Sequence, residues 1–422
     1  MGKEGRVEKI ITRIILGIMV VFLLLILAVF IAIKSGATEL FKMDRSIETK
    51  VYDIKAEDDA FAKIYKGYSN GIYAAKNYTE AYSNDLLLGR TALVENEVRY
   101  KNLIGWKLFA PTEYNSILYL DNGYLAGANK KESSETIGNI ATKIKSLKDV
   151  SEEAGAKFFY LQTPGNIDKF GDEGINRVKD FANDNADALI ADLKDYGIQC
   201  LDLRDNIEAT FEDYHSLFFR TDHHWRQPVA LWATNELCSY MEEQYGLEYD
   251  ETLYDPDQYE MEFLEKNYLG SLGRKATLAA TDPDDFEILH PKFATELHFT
   301  QDREDIDRTG PWEVLYDYDE INYDGIYWRE CFLGLLSYYG TGRCTIENKN
   351  AERPETVLLV ADSLCIPVTA FLSLNYEKVE LLDGRYFEGS IKDYIRESKP
   401  DVVISSYTTT VIEEGYSIFD FK

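Results

Sequence analysis

Val357-Leu358-Leu359-Val360-Ala361-Asp362-Ser363-Leu364 is an apolar run that breaks at an Asp-Ser pair. Residues 357–360 read as a buried strand, and residues 366–372, beyond the pair, as a short helix. A strand over 379–382, a helix over 391–397 and a last strand over 402–404 complete a β-α-β-α-β pattern. That is the unit of an open, doubly wound sheet, in which ligands bind beyond the carboxyl ends of the strands.

The same alternation appears upstream. Ile137, Ile140, Ile144 and Leu147 give residues 137–154 a helical face, and 157–162 has strand length before Pro164-Gly165 stops it. Residues 175–196 are helical again, with Val178, Ala182, Ala186, Leu189 and Leu193 on one side, and 199–203 suits another strand. The expected fold class is α/β, a parallel sheet flanked by helices on both faces.

This domain is expected to span 117–422, because Asp121-Asn122-Gly123 breaks two short apolar runs as a hairpin turn does. Within it, residues 248–324 are rich in acids and Asp-Pro steps and read as an insertion or a set of long loops. Residues 34–116 are polar and tyrosine-bearing, a stalk or helical linker. Residues 14–33 carry no charge and match the roughly 30 Å apolar core of a bilayer. Lys3, Arg6, Lys9 and Arg13 precede them, so 1–13 is expected to be a cytoplasmic tail and 14–33 a transmembrane helix. The competing reading is a signal peptide cleaved near Ser35-Gly36-Ala37, although the apolar run is long for one. Both readings place the bulk of the chain outside the cytoplasm.

A formal net charge of -29 argues against nucleic acid as a partner, since phosphate binding needs clustered Lys and Arg. Thirty tyrosines suit either sugar-facing surfaces or an aromatic core, and decide nothing alone. Five cysteines without a CxxC pair indicate neither a zinc site nor a disulfide scaffold. They read as mostly buried thiols, with a bridge between Cys331 and Cys344 left open.

Two clusters can carry chemistry. In Arg220-Thr221-Asp222-His223-His224-Trp225, just before a helix opening near Pro228, an Asp stands beside two imidazoles. An Asp close to a His can fix its tautomer and stabilise the imidazolium. The alternatives are a hydrogen-bonded structural loop, or a metal held by Asp222, His223, His224 and His215. The metal is disfavoured because adjacent histidines rarely face one ion. The second cluster is Asp362-Ser363, where a strand-to-helix turn would lift a hydroxyl above the sheet edge and offer backbone N–H groups to an oxyanion. The alternative there is a plain helix N-cap. Nucleophile, base and carboxylate together are what acyl transfer requires.

At these residues the chain resembles the bacterial DHHW family, which is similar to the SGNH-hydrolase-like proteins that acetylate alginate and other exopolysaccharides. Thr221-Asp222-His223-His224-Trp225 looks like that family's signature, and Ala361-Asp362-Ser363-Leu364 is similar to its Gly-Asp-Ser-Phe block, with Ala361 and Leu364 as departures. The resemblance implies an SGNH-hydrolase-like, flavodoxin-like fold with Ser363 as nucleophile, His224 as general base and Asp222 as its orienting carboxylate. His223 would be structural or substrate-facing, and the second candidate for the base. Trp225 joins it as a candidate substrate contact. Gly270-Ser271 looks like a segment that supplies an oxyanion donor, and Arg385-Tyr386 like a substrate contact. The implied activity is O-acetyl transfer to, or acetyl-ester hydrolysis on, a cell-surface or exported polysaccharide, with no cofactor or metal. The implied partners are the polysaccharide acceptor and a membrane-bound acyl-transfer protein. The other class of function is a non-catalytic polysaccharide-binding or scaffold component of a surface-glycan assembly complex.

Overall fold

The computed structural model describes residues 117–421, apart from 121, 172–178 and 304, together with Glu95 and Arg99. All belong to one compact unit, Glu95–Lys422. A small hairpin, β1 (Ile117–Tyr119) with β2 (Leu125–Gly127), leads in. Helix α1 (Ser134–Glu153) follows, started by the Ser133 side chain accepting the Thr136 N–H. Then come β3 (Lys157–Thr163), α2 (Ala182–Asp195), β4 (Cys200–Asp202) and α3 (Leu203–Thr210). Helix α4 (Gln227–Tyr245) has Pro228 in its first turn and ends on Gly246 at φ 69°, a left-handed cap that suits glycine.

The middle of the chain holds β5 (Tyr259–Tyr268), α5 (Ser271–Ala276), β6 (Asp284–Pro291), β7 (Leu297–Gln301) and β8 (Ile306–Gly310). The C-terminal part is β9 (Arg343–Asn348), β10 (Arg353–Ala361), α6 (Cys365–Leu372), β11 (Tyr376–Leu382), α7 (Ile391–Ser398) and β12 (Val402–Thr408).

Eight strands form one sheet in the order β4-β3-β12-β10-β11-β9-β7-β8. The first five are parallel, and β9, β7 and β8 continue antiparallel. The expectation of a purely parallel sheet is therefore corrected: the sheet is mixed. The reason lies in 248–324, where β7 and β8 join β9 instead of looping, while β5 and β6 pair as a separate antiparallel ribbon. The α/β class and the flanking helices stand.

Alternation along β10 fills both faces. Val357, Leu359 and Ala361 enter one core with Trp225, Val229 and Phe371; Leu358 and Val360 enter the other with Ile144, Leu147 and Leu189. All five cysteines are free, so the Cys331–Cys344 bridge is not formed. Instead, Cys331 Sγ reaches the Asn267 and Ile321 carbonyls, and Cys344 Sγ the Leu336 carbonyl.

Among the described residues no helix is long and apolar enough to cross a membrane. The expected transmembrane run 14–33 and cytoplasmic tail 1–13 lie outside the described residues, as does nearly all of 34–116.

The antiparallel extension carries a titratable clasp. On β7, His298 Nδ1 lies 3.1 Å from Glu347 on β9, and Nε2 lies 2.9 Å from Asp307 on β8. Glu347 and Asp307 hold the His298 pKa above the ordinary histidine value. A raised folded-state pKa gives stability that is complete below the unfolded value and is lost as pH rises through the folded one. The advantage of wild type over His298→Gln in urea midpoint is expected to be present near about pH 5.5 and absent near about pH 9. An equal difference at both would show that the clasp contributes no proton-linked stability.

Candidate active site

Loop 219–226 is closed on itself before it is tied to anything else. The Phe219 N–H donates to the His224 carbonyl at 3.1 Å, and the Arg226 N–H to the Leu217 carbonyl at 2.9 Å. Buried Asp284, at the start of β6, accepts the Arg220 N–H (3.0 Å), the Thr221 N–H (2.9 Å) and the Thr221 hydroxyl (2.6 Å). The Thr221 oxygen in turn accepts the Gly270 N–H at 2.8 Å.

These bonds aim Asp222 inward, where it is 1% exposed. Its Oδ2 accepts the Tyr268 hydroxyl and the Ser271 N–H (3.2 Å). Its Oδ1 accepts the His223 N–H (2.6 Å) and the Ser271 hydroxyl (3.2 Å), and lies 2.7 Å from His223 Nδ1. His224 Nδ1 is 3.3 Å from the same oxygen, buried and without a completed hydrogen bond. Burial pushes the Asp222 carboxyl up, but the two imidazoles outweigh it and hold the pKa well below the usual carboxylate range.

The opposite edge of the His224 ring points at the second cluster: Nε2 lies 2.8 Å from Ser363 Oγ. Burial first, and then the neighbouring His223, lower the His224 pKa to about 4, against the pull of Asp222. His224 is therefore neutral near pH 7, able to accept a proton at Nε2. Its ring stacks on Phe332, with centroids 3.9 Å apart, and lies tilted by 36° against the His223 ring at 4.0 Å.

Ser363 stands where β10 ends and α6 begins. Asp362, buried beneath it, accepts the Leu364 N–H at 3.0 Å and the Thr408 N–H, at the end of β12, at 2.7 Å. Asp362 thus stitches the turn to the neighbouring parallel strand, and Ser363 is left to face His224. No side chain caps α6. The Trp225 indole N–H donates to the Leu364 carbonyl at 3.0 Å, pinning the histidine loop to the serine turn.

The structure thus brings Asp222, His224 and Ser363 together, and sets His223 on Asp222 instead of on the serine. It redirects several other expected residues. Trp225 is fully buried, with its indole N–H on the Leu364 carbonyl, so it braces the site. The Gly270 and Ser271 N–H groups donate to Thr221 and Asp222, so neither is available to an oxyanion. Arg385 pairs with buried Asp383 at 2.5 Å, and Asp383 also accepts the Tyr338 hydroxyl at 2.8 Å. The Arg385 guanidinium lies 5.2 Å over the Tyr386 ring, which is 39% exposed. Its charge lowers the proton affinity of both His223 and His224, which places it beside the site.

Contrary to expectation for adjacent histidines, Asp222, His223 and His224 turn one ligand atom each to within 4.8 Å of one another, a spacing that would admit a cation. His215 is not part of that group; its ring packs near Tyr124 and Tyr214. Tyr268, Asp284 and Phe332 are site-shaping residues that the sequence did not reveal; Tyr268 had a signal, two positions before Gly270. Asp383 stood in the family-like segment Asp383-Gly384-Arg385-Tyr386, but its role as the partner of Arg385 was not read there.

Residues 128–300 match the family model described as "SGNH hydrolase-like domain, acetyltransferase AlgX". The chain has an SGNH hydrolase-like fold. Bacillus cereus PatB1, solved with a sulfonyl adduct, superposes with a TM-score of 0.60 at 17% identity, over 72% of this chain and 98% of that one. A DHHW family protein from Eubacterium siraeum gives 0.55 at 17% identity, over 72% and 94%. At that identity the likeness establishes the fold. No curated protein matches the chain in sequence. The resemblance to SGNH-hydrolase-like and DHHW proteins read from the two motifs therefore holds.

Gly270 has no room for a side chain, because a Cβ there would sit 2.3 Å from Asp222 Cβ. Gly270→Ala is expected to lower unfolding free energy by about 2 kcal/mol or more, read from urea midpoints. Wild-type stability in this variant would mean that the clamp on Asp222 is slack.

Proposed function

We propose that the chain is an extracytoplasmic, serine-dependent O-acetyltransferase or acetylesterase acting on a cell-surface or exported polysaccharide. The observation that carries this reading is the 2.8 Å contact between Ser363 Oγ and the buried His224 Nε2. Ser363 Oγ attacks the acetyl carbonyl carbon as its proton passes to His224 Nε2, and Asp222 stabilises the resulting imidazolium. The carbonyl oxygen becomes an oxyanion facing the Ser363 backbone N–H at the β10–α6 turn. Collapse breaks the bond to the donor oxygen, which leaves with the proton from His224, and Ser363 holds an acetyl ester. A glycan hydroxyl then attacks that ester for transfer, or water for hydrolysis, and His224 again takes the proton. Collapse breaks the Ser363 Oγ–acyl bond, and His224 returns the proton to Ser363 Oγ. Both outcomes use the same residues.

The polysaccharide assignment is supported by the match to a domain described by the acetyltransferase AlgX. The extracytoplasmic assignment is supported by the uncharged run 14–33 behind four basic residues, which would anchor the chain with its N-terminus inside. The acceptor and a membrane-bound acyl-transfer protein are the partners this chemistry calls for.

A chromogenic acetyl ester and a sulfonyl-fluoride probe test the reading on the purified chain. Wild type is expected to turn over the ester and to gain one adduct mapped to Ser363. Ser363→Ala and His224→Ala should each lose about a thousandfold or more in turnover. Unchanged turnover in Ser363→Ala would discard the mechanism, and a Ser363 inert to the probe would favour a scaffold role.

A further inference from the structure

A cavity of about 720 Å³ lies in a groove between α1 and the chain that follows β12, with Lys130, Glu132, Ser133, Asn139 and Glu413 among its walls. Sites for small organic ligands run to roughly 300–1,000 Å³, so the size fits one. Helix α1 turns back through Ala154-Gly155-Ala156 into β3. Its first turns therefore lie toward the carboxyl edge of the parallel strands, the edge that holds Ser363. The two walls are tied together there, since Asn129 Nδ2 donates to the Thr410 carbonyl at 2.8 Å. Thr408, whose N–H is on Asp362, comes five residues before Glu413, a span of about 18 Å at most.

Glu132 is buried without a full set of partners. Its side chain is 3% exposed, and Oε1 lies 3.4 Å from Lys130 Nζ without making a hydrogen bond. A buried carboxylate oxygen in that state costs free energy until a donor reaches it. Lys130 is shared with Glu414, at 3.8 Å, and Lys143, farther along α1, pairs with Asp420 at 2.7 Å. Glu413 adds a second carboxylate. Burial and the charge of Glu132 hold its pKa above the ordinary value, and Lys130 only partly offsets them. The cavity thus has an excess of acid, in a chain whose net charge is -29. A polyanion would be repelled, and a cation with several N–H donors attracted. Among the described residues, the one group of three acids, histidines or cysteines close enough to share a metal ion is Asp222, His223 and His224. Glu132 and Glu413 are not spaced for a metal, and an ammonium group suits them better.

We propose that this groove binds an amino sugar of the polysaccharide, with its ammonium group on Glu132 and Glu413 and its hydroxyls meeting the exposed Ser133 and Asn139. The inference rests on the reading above for the polysaccharide and for that alone.

Calorimetry on the full chain carrying Ser363→Ala tests the groove without any catalysis. The probes are hexasaccharides of glucosamine, glucose (cellohexaose) and guluronate, at about pH 6, where the amine is charged. The glucosamine hexamer is expected to bind about tenfold or more tighter than cellohexaose, and the guluronate hexamer most weakly. Glu132→Gln should weaken the glucosamine hexamer about tenfold. Glu413→Gln, at a half-buried position that a folding defect spares, should weaken it too. Glu262→Gln, which removes the same charge on the β5–β6 ribbon, should leave it unchanged. Equal affinity for the glucosamine and glucose hexamers overturns the proposal, as does an equal loss in Glu262→Gln. Calcium chloride binding that depends on Glu132 overturns it in favour of a metal site. Ester turnover is measured alongside: if Ser363→Ala matches wild type, the catalytic reading fails, and the calorimetry still decides the groove.

Discussion

A carboxylate taken out of water must be paired and hydrogen-bonded, or it costs several kcal/mol. Asp222 is such a carboxylate, and the surrounding structure is arranged to satisfy it. Tyr268 closes the end of β5 with its hydroxyl on Oδ2, and Ser271 opens α5 with its N–H on the same oxygen. Gly270 between them has no side chain because Asp222 fills that space. Asp284 and Thr221 fix the backbone that aims Asp222, so two buried acids organise one loop: one holds its backbone and the other its imidazoles. The β5–β6 ribbon, peripheral to the main sheet, is the part of the chain that supplies Tyr268 and Asp284.

The second requirement is that segments 139 residues apart in the chain meet within a hydrogen bond. Parallel register does most of this. Ala361 on β10 pairs with Ser406 on β12, which brings Asp362 to the Thr408 N–H and leaves Ser363 at the carboxyl edge of the sheet. Trp225 supplies the other half, its ring in the core and its N–H on the carbonyl just after Ser363. Apolar packing and one directional bond then fix the spacing between loop and turn.

The parallel half of the sheet was legible because strands buried on both faces are unbroken apolar runs, as in 357–360 and 402–404. The antiparallel half was not. Strand β8, Ile306-Asp307-Arg308-Thr309-Gly310, is a polar edge, and β5 is largely solvent-facing, with Glu260, Glu262 and Glu265 along it. Such strands are held by their partners more than by their own composition. Asp222, His224 and Ser363 could be picked out because reactive residue types stood at element ends. Phe332 and Asp284 could not, since a phenylalanine stacked on an imidazole, or an acid capping a distant loop, leaves no local pattern. Gly270-Ser271 was located from sequence but not understood, because the direction of a backbone N–H is a property of the fold.

The unequal sharing of Asp222 bears on how the proposed chemistry would proceed. At rest, Oδ1 is committed to His223, and His224 Nδ1 stands 3.3 Å away without a completed bond. In the proposed reaction His224 would take the serine proton and become a cation with a donor facing that same buried anion. The contact then strengthens at the step where charge develops. An interaction stronger in the transition state than in the ground state lowers the barrier, whereas one already saturated at rest contributes equally to both. A carboxylate held tightly by its neighbours, and only loosely by the base proposed for it, would keep that gain in reserve.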